Sequence, residues 1–256
     1  FAEYVRTVLE LEIKWYENSK SAVESFKTLR DKISQAGVIV MMSGIVGNNT
    51  HRPLDINEFR AFAMVDDLVP LIFIDSVNGK LFSLLHEFAH ICIGNNSLYN
   101  DRYSSGTRVS KAESVSNAVA AEILVPQVMF EKKWKEIDKF DDPIKTIDVL
   151  TKYFSCGTTV IARKALDNGY IDYSVYRKLS QIAVNRYNEK RKKEKEQGGG
   201  GDYYRTAASR IDTRFFKSLV SSVHEGKTLY TDAFRLTNTN RSTFENLVNK
   251  MGGGSK

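Results

Sequence analysis

The stretch LFSLLHEFAHICIG, residues 81–94, decides how the rest of the chain is arranged. It is apolar, contains no proline and ends on Gly94, which is typical of a buried helix. Because side chains four residues apart lie on one face of a helix, His86 and His90 can bind one metal ion together. Glu87 lies beside this pair, where a carboxylate can accept a proton from a water molecule. The H-E-x-x-H pattern therefore predicts a catalytic Zn²⁺ site with Glu87 as the general base.

Length and composition bound the remaining possibilities. The 256 residues suffice for one hydrophobic core, or for one core and a smaller domain. No apolar run reaches the ~18 residues of a membrane span, so no membrane partner is expected. Cys92 and Cys156 are isolated thiols, which suits a reducing compartment better than a disulfide framework. We therefore expect a cytoplasmic protein, whose net charge of +6 permits contact with nucleic acid without requiring it.

The residues before the motif predict strands. Residues 38–42 form a short apolar run of strand type, and residues 58–65 and 68–75 predict two longer strands. Asp66 and Asp67 would form the turn between the latter two, so an antiparallel pair is expected. Together with helical spacing in most of the remaining chain, this predicts an α+β fold. Its small antiparallel sheet packs on the H-E-x-x-H helix, and a mainly helical C-terminal half follows.

A catalytic zinc site needs a third protein ligand. A third histidine six residues after the second is excluded, because Asn96 occupies that position. The remaining candidates are carboxylates: Asp101 in a polar loop over residues 95–110, and Glu113 and Glu122 on the helix predicted after it. The two glutamates are nine residues apart, about 180° around a helix, so only one of them can face the zinc.

We favour Glu113 as this ligand. Small side chains on its helix would let it approach the H-E-x-x-H helix closely, and Asn117, one turn further on, can orient a ligand by a hydrogen bond. Nothing in the sequence fixes the position of Asp101. Glu122 is expected to cap the helix, pair with a basic residue or face solvent.

Hydrolysis also needs a hydrogen-bond donor for the developing oxyanion. His51, Tyr99 and Tyr103 are candidates for this role or for contact with substrate, since each lies in a predicted loop that can rim the cleft. The sequence does not choose among them.

Three stretches together resemble the ImmA/IrrE metallopeptidases. They are GNNTHRPLDINEFRAFAMVDDLVPLIFID (residues 47–75), LFSLLHEFAHICIG (81–94) and ESVSNAVAAEILVP (113–126). The resemblance covers about residues 2–170, and GGGDYYRTAASR (199–210) is also similar to members of this group. It implies a zinc-dependent endopeptidase of bacteria or their mobile elements. Its usual substrate or partner would be a helix-turn-helix repressor of the Xre type, or an antitoxin.

The same resemblance implies roles for individual residues: His86, His90 and Glu113 as metal ligands, and Glu87 as base. We expect four segments. They are a zinc metallopeptidase domain at 1–130, a helical, helix-turn-helix-like extension at 131–188, a flexible charged and glycine-rich linker at 189–201, and a C-terminal helical segment at 202–251.

Two alternatives stay open. Residues 144–170 have the spacing of a helix, a turn and a helix, so Lys152, Arg163 and Lys164 would contact DNA phosphates in a transcriptional regulator with structural zinc. The modest charge, without a dense basic face, does not favour this reading. The other alternative is the toxin component of a toxin–antitoxin pair, whose peptidase site stays latent until its repressor partner is lost.

Overall fold

A computed structural model describes residues 1–19, 21–47, 49, 51–55, 60–75, 80–99, 110–137, 142–196 and 202–251. The α-helices within these ranges are α1 (Ala2–Val8), α2 (Ala22–Gln35), α3 (Lys80–Ile93), α4 (Lys111–Leu124), α5 (Gln127–Ile137), α6 (Pro143–Tyr153), α7 (Thr158–Asp167), α8 (Tyr173–Glu196), α9 (Tyr203–Arg210), α10 (Thr213–His224), α11 (Tyr230–Thr237) and α12 (Arg241–Met251). The strands are β1 (Ile39–Ser43), β2 (Ala61–Met64), β3 (Leu71–Asp75) and β4 (Ser97–Tyr99). The predicted α+β class is confirmed.

The four strands form one mixed sheet in the order β1-β3-β2-β4. β2 and β3 pair antiparallel, with Ala61 opposite Ile74, as the turn at Asp66 predicted. The prediction of a wholly antiparallel sheet is wrong, because β1 pairs in parallel with β3, with Ile39 opposite Leu71. β1 and β3 are not consecutive in the chain, and the long connection through β2 lets both run in the same direction.

Strand β4 forms the edge of the sheet opposite β1. It pairs antiparallel with β2, with Leu98 opposite Phe62. The loop predicted over residues 95–110 is therefore wrong for Ser97–Tyr99, and residues 100–109 lie outside the described part of the chain. This strand follows α3 directly, so it returns the chain to the sheet beside the H-E-x-x-H motif.

Helix α3 lies between the sheet and α4. Residues 83–90 are all buried, which explains why this helix is apolar on every side. The helix ends at Gly94, whose φ of +76° is a left-handed conformation that glycine adopts without a steric penalty. Ile72 and Ile74 of β3 and Ile123 of α4 belong to the same buried cluster. The motif therefore sits inside the main hydrophobic core.

One hydrophobic core runs from Val5 to Leu179. The segment expected as an extension at 131–188 contributes to that core, for example through Ile147 and Ile161. A second apolar cluster belongs to α9, α10, α11 and α12. α8 continues to Glu196, so the expected flexible linker is helical over residues 189–196. No helix among the described residues is long and apolar enough to cross a membrane.

The C-terminal helices attach to the sheet at the free edge of β1. There the backbone N–H of Val40 donates to Asp212 Oδ2 at 3.2 Å, and the Val40 carbonyl accepts from Arg30 at 2.8 Å. The same Arg30 guanidinium donates to the carbonyls of Ser209 and Ile211. Backbone groups of an edge strand need partners, and here the C-terminal helices help to supply them.

Candidate metal centre

The H-E-x-x-H helix brings two imidazoles together. His86 and His90 lie one turn apart on α3, and both are buried. Their Nε2 atoms are 3.1 Å apart. Phe82, one turn earlier, stacks on the His86 ring with centroids 6.1 Å apart, which restricts the orientation of that ring. The periodicity of the helix thus aims two nitrogen lone pairs at a single point, as the sequence predicted.

Helix α4 brings the third group. Glu113 lies in its first turn, and its backbone N–H donates to the hydroxyl of the N-cap residue Ser110. Its carboxylate oxygens lie 3.3 Å from His86 Nε2 and 3.1 Å from His90 Nε2. Ser116 and Ala120 are fully buried, in keeping with a close approach of α4 to α3. The structure therefore places the three residues predicted as ligands side by side.

These three ligand atoms have the spacing of a metal site. All lie within 4.8 Å of one another. Zinc bonds of about 2.0–2.2 Å in a tetrahedron place ligand atoms about 3.3–3.6 Å apart, close to the observed contacts. Two ring N–H groups can each donate to one oxygen of Glu113, but the contact of 3.1 Å between the two Nε2 atoms would then bring two donors together. An ion at their centre would satisfy all three, so the side chains fit a zinc ion.

The environment favours the protonation states that bind metal. Burial, with a contribution from His86, lowers the pKa of His90. Hydrogen bonding to His86 leads the causes that lower the pKa of Glu113. A neutral imidazole and an ionised carboxylate are the forms that coordinate a cation. The Glu113 side chain is 33% exposed whereas those of the histidines are buried, so the centre is open to solvent on the α4 side.

Glu87 is fully buried beside the two histidines. Desolvation is the main cause that raises its pKa to about 7, whereas the hydrogen bond from the Ser97 hydroxyl and the charge of His86 act in the opposite direction. Its Oε1 atom has no hydrogen-bond partner among the described residues. One carboxylate oxygen is thus held by β4 while the other is available to a small polar molecule.

Ser97 was not predicted from the sequence. It lies in a polar segment that the sequence assigned to a loop, and its role depends on the pairing of β4 with β2. A sequence contains no direct signal for such a contact. A hydroxyl ten residues after the glutamate is too common to be noticed.

The other candidate ligands lie elsewhere. Glu122 faces away from the centre, as the rotation of nine residues predicted. It forms ion pairs with Lys164 at 2.9 Å and Arg6 at 3.6 Å, and it accepts a hydrogen bond from the backbone N–H of Gln127. Asp101 lies outside the described residues.

Four further residues were named as helpers of the site. Asn117 is half-buried on α4, and its side chain makes no hydrogen bond within the described ranges. His51 is exposed in a turn, where its backbone N–H donates to Asn49 Oδ1. Tyr103 and the side chain of Tyr99 lie outside the described part of the structure. The roles suggested for these four residues stay predictions.

The stretch considered for DNA binding folds as α6, a turn and α7. Lys164 is only 9% exposed, because it pairs with Glu122 and donates to the carbonyl of Val125. Arg163 pairs with Asp167 at 2.9 Å. A lysine committed to a partly buried ion pair is a poor ligand for DNA phosphates, so the structure weakens this alternative.

Comparison with known proteins agrees with this geometry. Residues 53–166, which include α3 and Glu113, match the M78 peptidase family, described as the IrrE N-terminal-like domain. Residues 211–250 match a domain of unknown function, DUF8813. No curated protein matches the chain. Residues 53–166 are therefore similar to the IrrE N-terminal-like domain of the M78 peptidases, and the resemblance to the ImmA/IrrE proteins is confirmed for this part of the chain.

Proposed function

We propose that this protein is a zinc-dependent endopeptidase. The observation that carries the proposal is the convergence of His86 Nε2, His90 Nε2 and a Glu113 carboxylate oxygen within 4.8 Å. Two imidazoles and one carboxylate are the donor set of many catalytic zinc sites, in which a fourth position is left for water or substrate. The family match supports a peptidase, and the chemistry of the donors supports zinc.

In this proposal His86, His90 and Glu113 hold the ion. Bound zinc supplies a Lewis acid that polarises a carbonyl and makes water a stronger nucleophile at neutral pH. The protein contributes rigidity, because α3 is buried on all sides and α4 packs directly against it. The partly exposed side of Glu113 is the side from which a peptide would approach.

Glu87 is the proposed general base. A pKa raised to about 7 suits a group that accepts a proton from the attacking water and passes it to the leaving amine. The hydroxyl of Ser97 holds Oε2, so Oε1 is the atom that would take the proton. The oxyanion needs a further donor, and His51, Tyr99 and Tyr103 remain the candidates.

We propose an intracellular protein as the substrate, specifically an Xre-type helix-turn-helix repressor or an antitoxin in the cytoplasm. This part rests on the resemblance to ImmA/IrrE proteins. A peptidase whose activity is latent until a repressor partner is lost would use the same residues. If the repressor is the substrate, the isolated protein cleaves it. If the repressor only keeps the peptidase latent, the isolated protein leaves it intact.

The test is cleavage of a purified Xre-type repressor by the zinc-loaded protein, with fragments identified by mass spectrometry. Glu87→Gln should retain zinc and abolish cleavage, because the amide cannot accept the proton. Glu136→Gln, an exposed site on α5, is the matched control and should cleave normally. Cleavage by Glu87→Gln at the wild-type rate would overturn the assignment of the base. Intact repressor with the wild-type protein, alongside cleavage of denatured casein, would overturn the proposed substrate alone.

A further inference from the structure

The C-terminal unit contains two helices joined by a turn of three residues. α11 has eight residues, α12 has eleven, and residues 238–240 connect them. Asn238 takes φ 51° and ψ 47°, a left-handed conformation at the end of α11. A short helix, a tight turn and a second helix are the components of a helix-turn-helix.

Hydrogen bonds fix this turn. The backbone N–H of Thr239 donates to the carbonyl of Phe234 at 2.9 Å, and the hydroxyls of Thr237 and Thr239 lie 2.8 Å apart. Asn240 then caps α12, because its Oδ1 accepts from the backbone N–H of Thr243. The relative positions of α11 and α12 are thus set locally.

Apolar packing sets α12 against the rest of the unit. Phe244 and Leu247 are buried, and Phe244 contacts the rings of Phe216 in α10 and Phe234 in α11. Ala233 of α11 is fully buried in the same cluster. α10, α11 and α12 therefore form a three-helix unit in which α12 has one buried side.

The opposite side of α12 is polar and exposed. It carries Arg241, Ser242, Glu245, Asn246 and Asn249. Their spacing places them in one stripe along a helix about 16 Å long. Arginine and asparagine form paired hydrogen bonds with guanine and adenine edges, and glutamate accepts from cytosine. The ion pair between Arg241 and Glu245 is exposed on both sides, so exchanging it for other partners costs little.

Charge complements this chemistry. Residues 202–251 contain eight Lys and Arg against five Asp and Glu, so about half of the net charge of +6 lies in one fifth of the chain. Arg235, on α11 next to the turn, is 82% exposed. By contrast, Lys164 in the α6–α7 pair is buried, and that pair lies within the main core. Arg163 of that pair is 62% exposed, so exposure of cations alone does not separate the two surfaces, and the polar side of α12 favours the C-terminal pair.

We propose that residues 213–251 form a helix-turn-helix unit that binds duplex DNA, with the polar side of α12 in the major groove. This assigns an activity to the segment that matches a domain of unknown function. The inference is independent of the proposed peptidase activity. It would place the peptidase site and a DNA-binding surface on one chain.

The experiment uses the full chain and a library of random-sequence duplexes about 30 base pairs long. After selection, fluorescence anisotropy compares the enriched sequence with random duplex over a range of salt concentrations. Asn246→Ala/Asn249→Ala should weaken binding to the enriched sequence about tenfold or more and leave random duplex nearly unaffected. Arg235→Ala, on α11 beside the turn and outside this stripe, should weaken binding to both and reduce the salt slope by about 1.

Two control pairs locate the surface. Arg177→Ala/Lys178→Ala removes the same kind of charge from an exposed part of α8 and should leave binding unchanged. Circular dichroism and thermal melting check that each variant is folded.

Failure to enrich any sequence would overturn the proposal, as would wild-type affinity in the double asparagine variant. A loss of DNA binding confined to the Lys152→Ala/Arg163→Ala variant would assign the DNA-binding surface to α6–α7 and overturn the proposal. Capture of a repressor protein through α12, without DNA binding, would make the unit a protein-docking module and also overturn the proposal.

Discussion

Replacing Ser97 with alanine tests how the structure prepares Glu87. The Ser97 hydroxyl donates to Glu87 Oε2, and this hydrogen bond stabilises the ionised carboxylate. Its removal should raise the pKa of Glu87 further, because desolvation then acts with less opposition. A general base works only when it is deprotonated, so the acidic limb of the kcat/KM profile should move to higher pH.

The size of the effect follows from the contact. A hydrogen bond to a charged group contributes about 1.5–3 kcal/mol, which corresponds on the acidic limb to a loss of about 10- to 150-fold in kcat/KM. The lower part of this range is expected, since Ser97 positions the base and does not itself take the proton. At pH values well above the raised pKa of Glu87, kcat/KM should change little. The zinc content should not change, because Ser97 contacts none of the three ligand residues among the described hydrogen bonds.

The assay is the pH dependence of kcat/KM on a fluorogenic peptide built around the cleaved bond. Ser97→Thr keeps the hydroxyl and should retain most of the activity. Asn96→Ala controls for displacement of β4, because Asn96 Oδ1 accepts a hydrogen bond from the backbone N–H of Val65 near the end of β2. An unchanged acidic limb and a wild-type kcat/KM in Ser97→Ala would refute the reasoning. An equal loss in Asn96→Ala would attribute the effect to the strand instead.

Three further substitutions test the packing. Asp212→Ala removes an N-cap and a charged hydrogen bond to Val40, so it should lower the free energy of unfolding by about 3 kcal/mol in guanidinium titration. Lys164→Met should lower the free energy of unfolding by about 1–2 kcal/mol, because Glu122 loses its nearest cation. A double-mutant cycle with Glu122→Gln should show a coupling energy of about 1 kcal/mol between the two residues. Asn238→Val should cost about 1–2 kcal/mol, since a β-branched residue resists the left-handed conformation, whereas Asn238→Gly should be nearly neutral.

Each of these has a contrary outcome. Asp202→Ala removes an exposed N-cap on α9 and should lower the free energy of unfolding less than Asp212→Ala does. If both substitutions lower it equally, the contact of Asp212 with β1 contributes nothing to stability. Additive losses in the Lys164 and Glu122 cycle would show that the pair is not coupled. Equal stability of the valine and glycine variants would contradict the left-handed turn.

The centre of the fold could be predicted because its signals are local. The spacing of His86 and His90 follows from the period of one helix. The rotation between Glu113 and Glu122 around another helix shows that only one of them can face the same point, and the small side chains on that helix favour Glu113. The turn at Asp66 likewise predicted an antiparallel pair from adjacent residues. In each case a short piece of sequence and one backbone geometry decide the outcome.

The remainder depends on contacts between distant residues. Nothing local to β1 shows that it pairs in parallel with β3, or that Asp212, far along the chain, satisfies its free edge. The hydrogen bond of Ser97 depends on a three-residue strand in a polar segment. The helix, turn and helix predicted at residues 144–170 form as α6 and α7, but the pairing of Lys164 with Glu122, 42 residues earlier, has no local signal in the sequence.

The most direct test of the account is the zinc content of the purified protein, measured by inductively coupled plasma mass spectrometry. Because three side chains coordinate at one point, we predict about one zinc ion per chain in the wild-type protein and in Glu87→Gln. The His90→Ala and Glu113→Ala variants should contain far less zinc. Full zinc occupancy in Glu113→Ala, or a wild-type protein that takes up no zinc, would contradict the proposed centre.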